Sequence, residues 1–278
     1  MANTSKLNYD EFNDVSYSVD ERQKFDLFVP RTTKNELPMM IYVHGGGWKS
    51  GSKSDYTNEM KRICEKYPVC CLSVGYRFIG EDMSVTYNNI QSDIANAIHT
   101  AVKYVESLGI TVTKKGIGGI SAGAYNSMMY AFKKCSIDPD SFSFVLDKSG
   151  PCDLTDSECY KGTAELPKDM AFRIYGQLMG FTFDDNTFTS PEIIEKLREA
   201  SPFFYVNENT PAVIIAHSEN DLVVPVRCAK RLYDKLKSLG VMTDYVDMEN
   251  CGHSETMDNV EEKIRNKLDE YIEKKLLK

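Results

Sequence analysis

Ser121 sits in Gly119-Ile120-Ser121-Ala122-Gly123, a Gly-x-Ser-x-Gly pattern between an apolar run and a helix-like segment. A strand that turns sharply into a helix presents such a serine at its apex, and only glycine leaves room for the backbone on either side. The first helical N–H groups lie just behind it and are available to an anion. The chemistry this arrangement serves is nucleophilic attack on an acyl carbon. The plain alternative is a glycine-rich turn with an incidental serine. Against it stand the strand-like run before the motif and the helical spacing of Tyr125, Met128, Met129 and Phe132 after it.

A serine hydroxyl needs a general base within hydrogen-bond reach, and the base needs an orienting acid. The chain has four histidines. His99 falls inside an amphipathic helix, His44 is fused to a glycine run, and His217 ends a strand. His253 follows Asn250-Cys251-Gly252, in a turn between a strand and the last helix. Loops beyond strand ends are where α/β sheets place their chemistry, so His253 is the preferred base. The acid is expected on the loop His217-Ser218-Glu219-Asn220-Asp221, with Asp221 first and Glu219 as competitor. Many Asp residues in such loops merely cap a helix. Here the chain order serine, acid, histidine matches that of α/β-hydrolases.

Attack on an ester turns the carbonyl oxygen into an alkoxide. One well-aimed N–H donor stabilises it by about 3–4 kcal/mol. His44-Gly45-Gly46-Gly47-Trp48 ends a strand and can expose N–H groups with no side chains in the way. Gly46, Gly47 and Ala122 are the expected donors, and Trp48 is expected to line the pocket or simply to pack. A phosphate loop is disfavoured because no Gly-Lys-Ser/Thr follows the glycines. Ser50-x-x-Lys53, Tyr87-x-Asn89 and Lys148-Ser149-Gly150 imitate the three motifs of β-lactamase-like serine enzymes. Ser50, however, lies in a loop rather than opening a buried helix.

The elements that must hold these residues follow from apolar patterning. Phe25–Val29, Met39–Val43, Val69–Val74, the run before Ser121, Phe142–Leu146, Val213–Ala216 and Thr243–Val246 read as strands. Near-continuous apolar character implies burial on both faces, as in a mostly parallel sheet. Ile90, Ile94, Ala97, Ile98, Ala101, Val102, Val105 and Leu108 mark one face of a helix that Gly109 stops. Further helices span Pro225–Leu239 and Val260–Ile272. Strands alternating with helices give an α/β fold, with a mostly parallel central sheet and helices on both faces. Residues 156–200 lose this pattern. Their aromatics, Phe172, Tyr175, Phe181, Phe183 and Phe188, suit a small cap over the sheet better than a solvated connection. The whole chain, 1–278, thus reads as a single domain with a cap insertion.

With these motifs the chain resembles the α/β-hydrolase superfamily, in the esterase/lipase branch with an HGGGW oxyanion loop. That branch includes small carboxylesterases, acetyl- and feruloyl-esterases and kynurenine formamidases. Asp221-x-x-Val224-Pro225, Gly252-His253, Phe25-Asp26-Leu27-Phe28-Val29-Pro30, Tyr76-Arg77, Ser149-Gly150-Pro151-Cys152-Asp153-Leu154 and Ser201-Pro202 are also similar to it. Two positions depart: Ser218 and Ala124 stand where the branch commonly has glycine. The resemblance implies a Ser121–Asp221–His253 triad, no cofactor and no metal. The expected activity is hydrolysis of short-acyl esters, acetylated sugars among them. Formamide hydrolysis and non-catalytic ligand binding are the alternatives.

Composition sets the bounds. A net charge of −8, from 33 basic and 41 acidic residues, argues against nucleic acid or an anionic membrane as partner. The acidic start lacks the basic and apolar parts of an export signal, and no apolar run reaches membrane-spanning length. A cytoplasmic location is therefore expected, with the eight cysteines reduced. Cys64, Cys70 and Cys71 read as core, and Cys152–Cys159 is the one disulfide considered. No zinc spacing occurs. Oligomeric state is not legible.

Overall fold

Among the described residues eight strands form one sheet: β1 (Tyr9–Ser16), β2 (Lys24–Pro30), β3 (Glu36–Val43), β4 (Cys70–Val74), β5 (Thr111–Ile120), β6 (Phe144–Lys148), β7 (Ala212–His217) and β8 (Thr243–Asp247). Their order is β1-β2-β4-β3-β5-β6-β7-β8. β1 and β2 pair antiparallel, β2 pairs antiparallel with β4, and every pairing from β4 across to β8 is parallel. The computed structural model describes residues 6–253 and 256–278; Ser254, just after the candidate base, lies outside them.

The period of two is visible in the packing. Phe25, Leu27 and Val29 of β2, with Met39, Ile41 and Val43 of β3, enter one apolar core. Phe28, Met40 and Tyr42 enter the other. The first core is closed by α2 (Tyr87–Ser107), α3 (Ala122–Cys135) and α6 (Val226–Ser238), and the second by α1 (Thr57–Lys66) and α7 (Asp258–Tyr271). Burial on both faces explains why the central strands read as continuous apolar runs.

Between β6 and β7 the chain forms α4 (Lys168–Met179) and α5 (Pro191–Glu199). The aromatic side chains of this stretch stack on one another around the buried Tyr160, which contacts Phe172, Tyr175, Phe183 and Phe188. Tyr125 Oη of α3 donates to the Ala200 carbonyl at 2.7 Å and ties down its far end.

Several expectations need correction. β1 and α1 were not anticipated. Leu108, assigned to the inner face of α2, is 44% exposed because it already lies past the last helical turn. Cys159 has Cys228 as its sulfur neighbour, with Sγ atoms 3.7 Å apart, and all eight cysteines are free and buried. The cysteine considered as its disulfide partner, Cys152, directs its thiol at the Cys228 carbonyl. Among the described residues no helix is long and apolar enough to cross a membrane.

Candidate active site

The carboxyl ends of β3, β5, β7 and β8 open onto one edge of the sheet, and the loops that follow them carry every candidate residue. Ser121 joins β5 to α3 with φ 53° and ψ −124°, a strained backbone for a non-glycine residue. The turn is held by Ser121 N–H on the Lys148 carbonyl at 2.8 Å and by Tyr125 N–H on the Ser121 carbonyl at 3.0 Å. Its tightness explains both motif glycines. A Cβ at Gly119 would lie 2.3 Å from the Val43 carbonyl oxygen, and one at Gly123 would lie 2.0 Å from the same atom.

Ser121 Oγ lies 2.9 Å from His253 Nε2, and His253 Nδ1 lies 2.8 Å from Asp221 Oδ2. His253 and Asp221 are buried, and the serine is half-buried. The carboxylate can only accept, so Nδ1 carries the proton and Nε2 is free to accept from the serine. Asp221 Oδ1 accepts the N–H groups of Val223 and Val224, each at 2.8 Å. Burial alone would raise the Asp221 pKa. Hydrogen bonds from His217 and His253 outweigh it and hold the carboxyl well below the ordinary range. Glu219, the competing acid, points away and pairs with Lys230.

Gly46 adopts φ 101°, open essentially to glycine alone, and turns the chain after β3. Among the described residues the N–H groups of Gly46 and Gly47 donate to no protein acceptor. Ala122 opens α3, so its N–H has no acceptor one turn back. Among the described residues these three N–H groups thus have no protein acceptor. His44 supports the loop: its ring stacks on Tyr76 at 4.3 Å, its Nδ1 lies 2.8 Å from the Gly45 carbonyl, and Tyr76 Oη donates to the His44 carbonyl at 2.9 Å. Burial lowers its pKa to about 4, so it stays neutral near pH 7.

Trp48 was given a pocket-lining role on sequence grounds, with packing as the alternative. It is 3% exposed, meets Tyr125 and Tyr175 edge-on, and donates from Nε1 to Asn126 Oδ1 at 3.3 Å. That burial directs it to packing. Next to it Lys49 Nζ donates to Gln177 Oε1 at 2.9 Å, so the glycine loop is fastened to α4 at two points. The β-lactamase-like pattern disperses: Ser50 Oγ bonds the Gly46 carbonyl, Lys53 pairs with Asp14 and Asp26, and Lys148 pairs with Glu261.

Sequence reasoning passed over three further residues. Ser218 Oγ donates to the Cys251 carbonyl at 2.5 Å and accepts the Asn220 N–H at 3.0 Å, linking the acid loop to the histidine loop. It was visible only as a departure from glycine. His217 Nε2 reaches Asp221 Oδ2 at 3.2 Å. Asp147 is wholly buried in β6. The signal for these two was a polar group inside, or closing, an otherwise apolar strand. Among the described residues no group of three or more His, Cys, Asp or Glu side chains is arranged to hold a metal ion.

Comparison with known proteins adds a family. The BD-FAE family model matches residues 25–236. Esterase LipC of Mycobacterium tuberculosis is 24% identical over 86% of this chain, and the match spans 58% of its own length. A kynurenine formamidase of Salmo salar is 29% identical over 41% of the chain, a match that spans 36% of the formamidase. Among solved structures, a truncated carbohydrate esterase from gut microbiota superposes with a TM-score of 0.72 at 15% identity, covering 96% of this chain and 98% of that one. That likeness establishes the α/β-hydrolase fold.

Proposed function

Because the chain belongs to the BD-FAE family, we propose that it is a serine carboxylester hydrolase acting through an acyl-enzyme. Its substrates are small soluble esters with short acyl groups, acetylated sugars among them. The observation that carries this reading is the unbroken hydrogen-bond line Ser121–His253–Asp221, with distances of 2.9 and 2.8 Å. A fold used only for binding has no need to keep three such groups in register.

Ser121 Oγ attacks the acyl carbon while its proton passes to His253 Nε2. The carbonyl oxygen, now an alkoxide, is met by the N–H groups of Gly46, Gly47 and Ala122. The protonated His253 is stabilised by Asp221 and gives its Nε2 proton to the departing alkoxide, which leaves as the alcohol. Water then attacks the acyl-enzyme, giving one proton to His253 and releasing the acid with Ser121 restored. No step calls on a metal or cofactor. The chain acts as one domain, with residues 156–200 as its cap, which Trp48 and Lys49 join to the glycine loop.

Formamide hydrolysis is the second reading, favoured by the partial match to kynurenine formamidases. The deciding experiment is turnover of p-nitrophenyl esters of increasing acyl length, beside N-formylkynurenine, by the wild type and Ser121→Ala. Short-acyl ester activity, reduced about 10⁶-fold in the variant, is expected. Rapid formamide turnover with weak ester turnover would move the assignment. Equal ester turnover by both proteins would remove Ser121 from the chemistry.

A further inference from the structure

Asp221 is held by more than the one imidazole its role requires. Oδ2 receives His253 Nδ1 at 2.8 Å and also His217 Nε2 at 3.2 Å. His217 Nε2 is 3.0 Å from the Val224 carbonyl as well. Both neighbours are acceptors only, so this nitrogen carries a proton, directed at the Val224 carbonyl with Asp221 Oδ2 in ion-pair range beside it. His217 is wholly buried, and its other nitrogen, Nδ1, has no hydrogen-bond partner among the described residues.

Asp147 lies behind it. Asp147 of β6 stands opposite Ile215 of β7, so Asp147 and His217, two residues further on, project from the same face of the sheet. Asp147 Oδ1 accepts the Gly150 N–H at 2.9 Å, whereas Oδ2 is buried and has no partner among the described residues. The two groups perturb each other. Burial pushes the Asp147 carboxyl up to about 7, against the pull of His217 and the Gly150 N–H. For His217, burial works downward, but the Asp221 hydrogen bond and charge outweigh it, with Asp147 adding to them, and the net displacement is upward. Among the described residues the other titratable groups facing this pair include Cys152, Cys228 of α6 and Tyr245 of β8.

We propose that His217 is a positioning residue of the site: its Nε2–H pins the Asp221 carboxylate so that Oδ2 meets His253 Nδ1, and Asp147 controls the charge His217 carries. The inference rests on the hydrolase reading above. It has an electrostatic consequence. A positive His217 offsets the Asp221 charge and weakens the support Asp221 gives to a protonated His253. A neutral His217 leaves that support whole. The rate then carries a titration near neutral pH that belongs to the buried pair as a unit.

The test compares wild type with His217→Leu, His217→Gln and Asp147→Asn. It reads kcat, KM and the pH profile on a p-nitrophenyl ester, and the low-field proton resonance of His253 Nδ1–H by NMR without substrate. His217→Leu should lower kcat about 10–100-fold, the range set by hydrogen-bonding partners one layer behind reactive groups, with KM nearly unchanged. His217→Gln keeps an N–H donor toward Asp221 but cannot titrate, so it should recover most of the rate and lose the extra inflection. Asp147→Asn should shift that inflection. A His217→Leu protein with wild-type kcat, pH profile and resonance overturns the inference, as does a loss confined to KM or Tm with the resonance unmoved. If the wild type hydrolyses no ester, the hydrolase reading fails and the resonance alone decides. Displacement in His217→Leu with retention in His217→Gln then supports the positioning role, and no displacement refutes it.

Discussion

Asp221 and Glu219 sit two residues apart on one loop, yet their surroundings divide them. Asp221 is buried among four donors, the N–H groups of Val223 and Val224 and the rings of His217 and His253. Glu219 is exposed and paired with Lys230. Asp221→Asn would keep the shape but present an amide N–H to His253 Nδ1 in one of its orientations, favouring the wrong tautomer. It should lower kcat about 10⁴-fold. Glu219→Gln should leave kcat near wild type, because an exposed ion pair contributes about 1 kcal/mol or less. A larger loss in Glu219→Gln than in Asp221→Asn, measured under saturating ester, would transfer the acid role. Sequence alone ranked Asp221 first by loop position. It could not reveal the second imidazole on Asp221, because the contact depends on where β7 ends relative to the turn.

At the scale of elements, the β5–α3 elbow determines whether the site exists. Gly123→Ala places a methyl group 2.0 Å from the Val43 carbonyl oxygen, which belongs to β3 and cannot move without breaking its pairing with β5. A loss of about 3 kcal/mol or more is expected in urea unfolding, as for other strained or overpacked backbone sites. Near-wild-type stability would show that the turn has more freedom than its geometry allows. The central strands were legible because burial on both faces writes a continuous apolar run. β1 was not: its pairing with β2 shifts register between Phe12 and Val15, with Asp14 at φ 56°, and that irregularity breaks the period of two. α1 offers only Met60, Ile63 and Cys64 as buried residues in ten, too short a pattern to stand out. Helices α4 and α5 were hidden for another reason. The aromatics in and around α4 pack against one another, so no single face repeats.

For the molecule as a whole, the buried charges of the site set opposing demands on stability. Asp221 titrates lower in the folded chain than in the unfolded one, so its contribution is present above the ordinary carboxylate range and is lost as pH falls below it. Asp147 titrates higher, near 7, so the folded chain keeps a proton that the unfolded chain has released; stability from this group falls as pH rises from about 4 to about 7. His217, displaced upward, acts in the same direction at and above neutral pH. Asp147→Asn retains the acceptor for the Gly150 N–H and removes the titration. It should therefore raise Tm at pH above 7 and leave it nearly unchanged at about pH 4, where the unfolded carboxyl also keeps its proton. An equal shift at both would refute the assignment of the pH dependence to Asp147. The proposed chemistry turns on one atom, Ser121 Oγ, and covalent capture reads it most directly. A p-nitrophenyl alkylphosphonate gives up p-nitrophenolate as phosphorus bonds to an activated serine oxygen, and peptide mass mapping locates the bond. We expect one adduct per chain, on Ser121, absent in Ser121→Ala and formed far more slowly in His253→Ala. Wild-type protein that stays unmodified, or carries the phosphonate on another residue, would contradict the account.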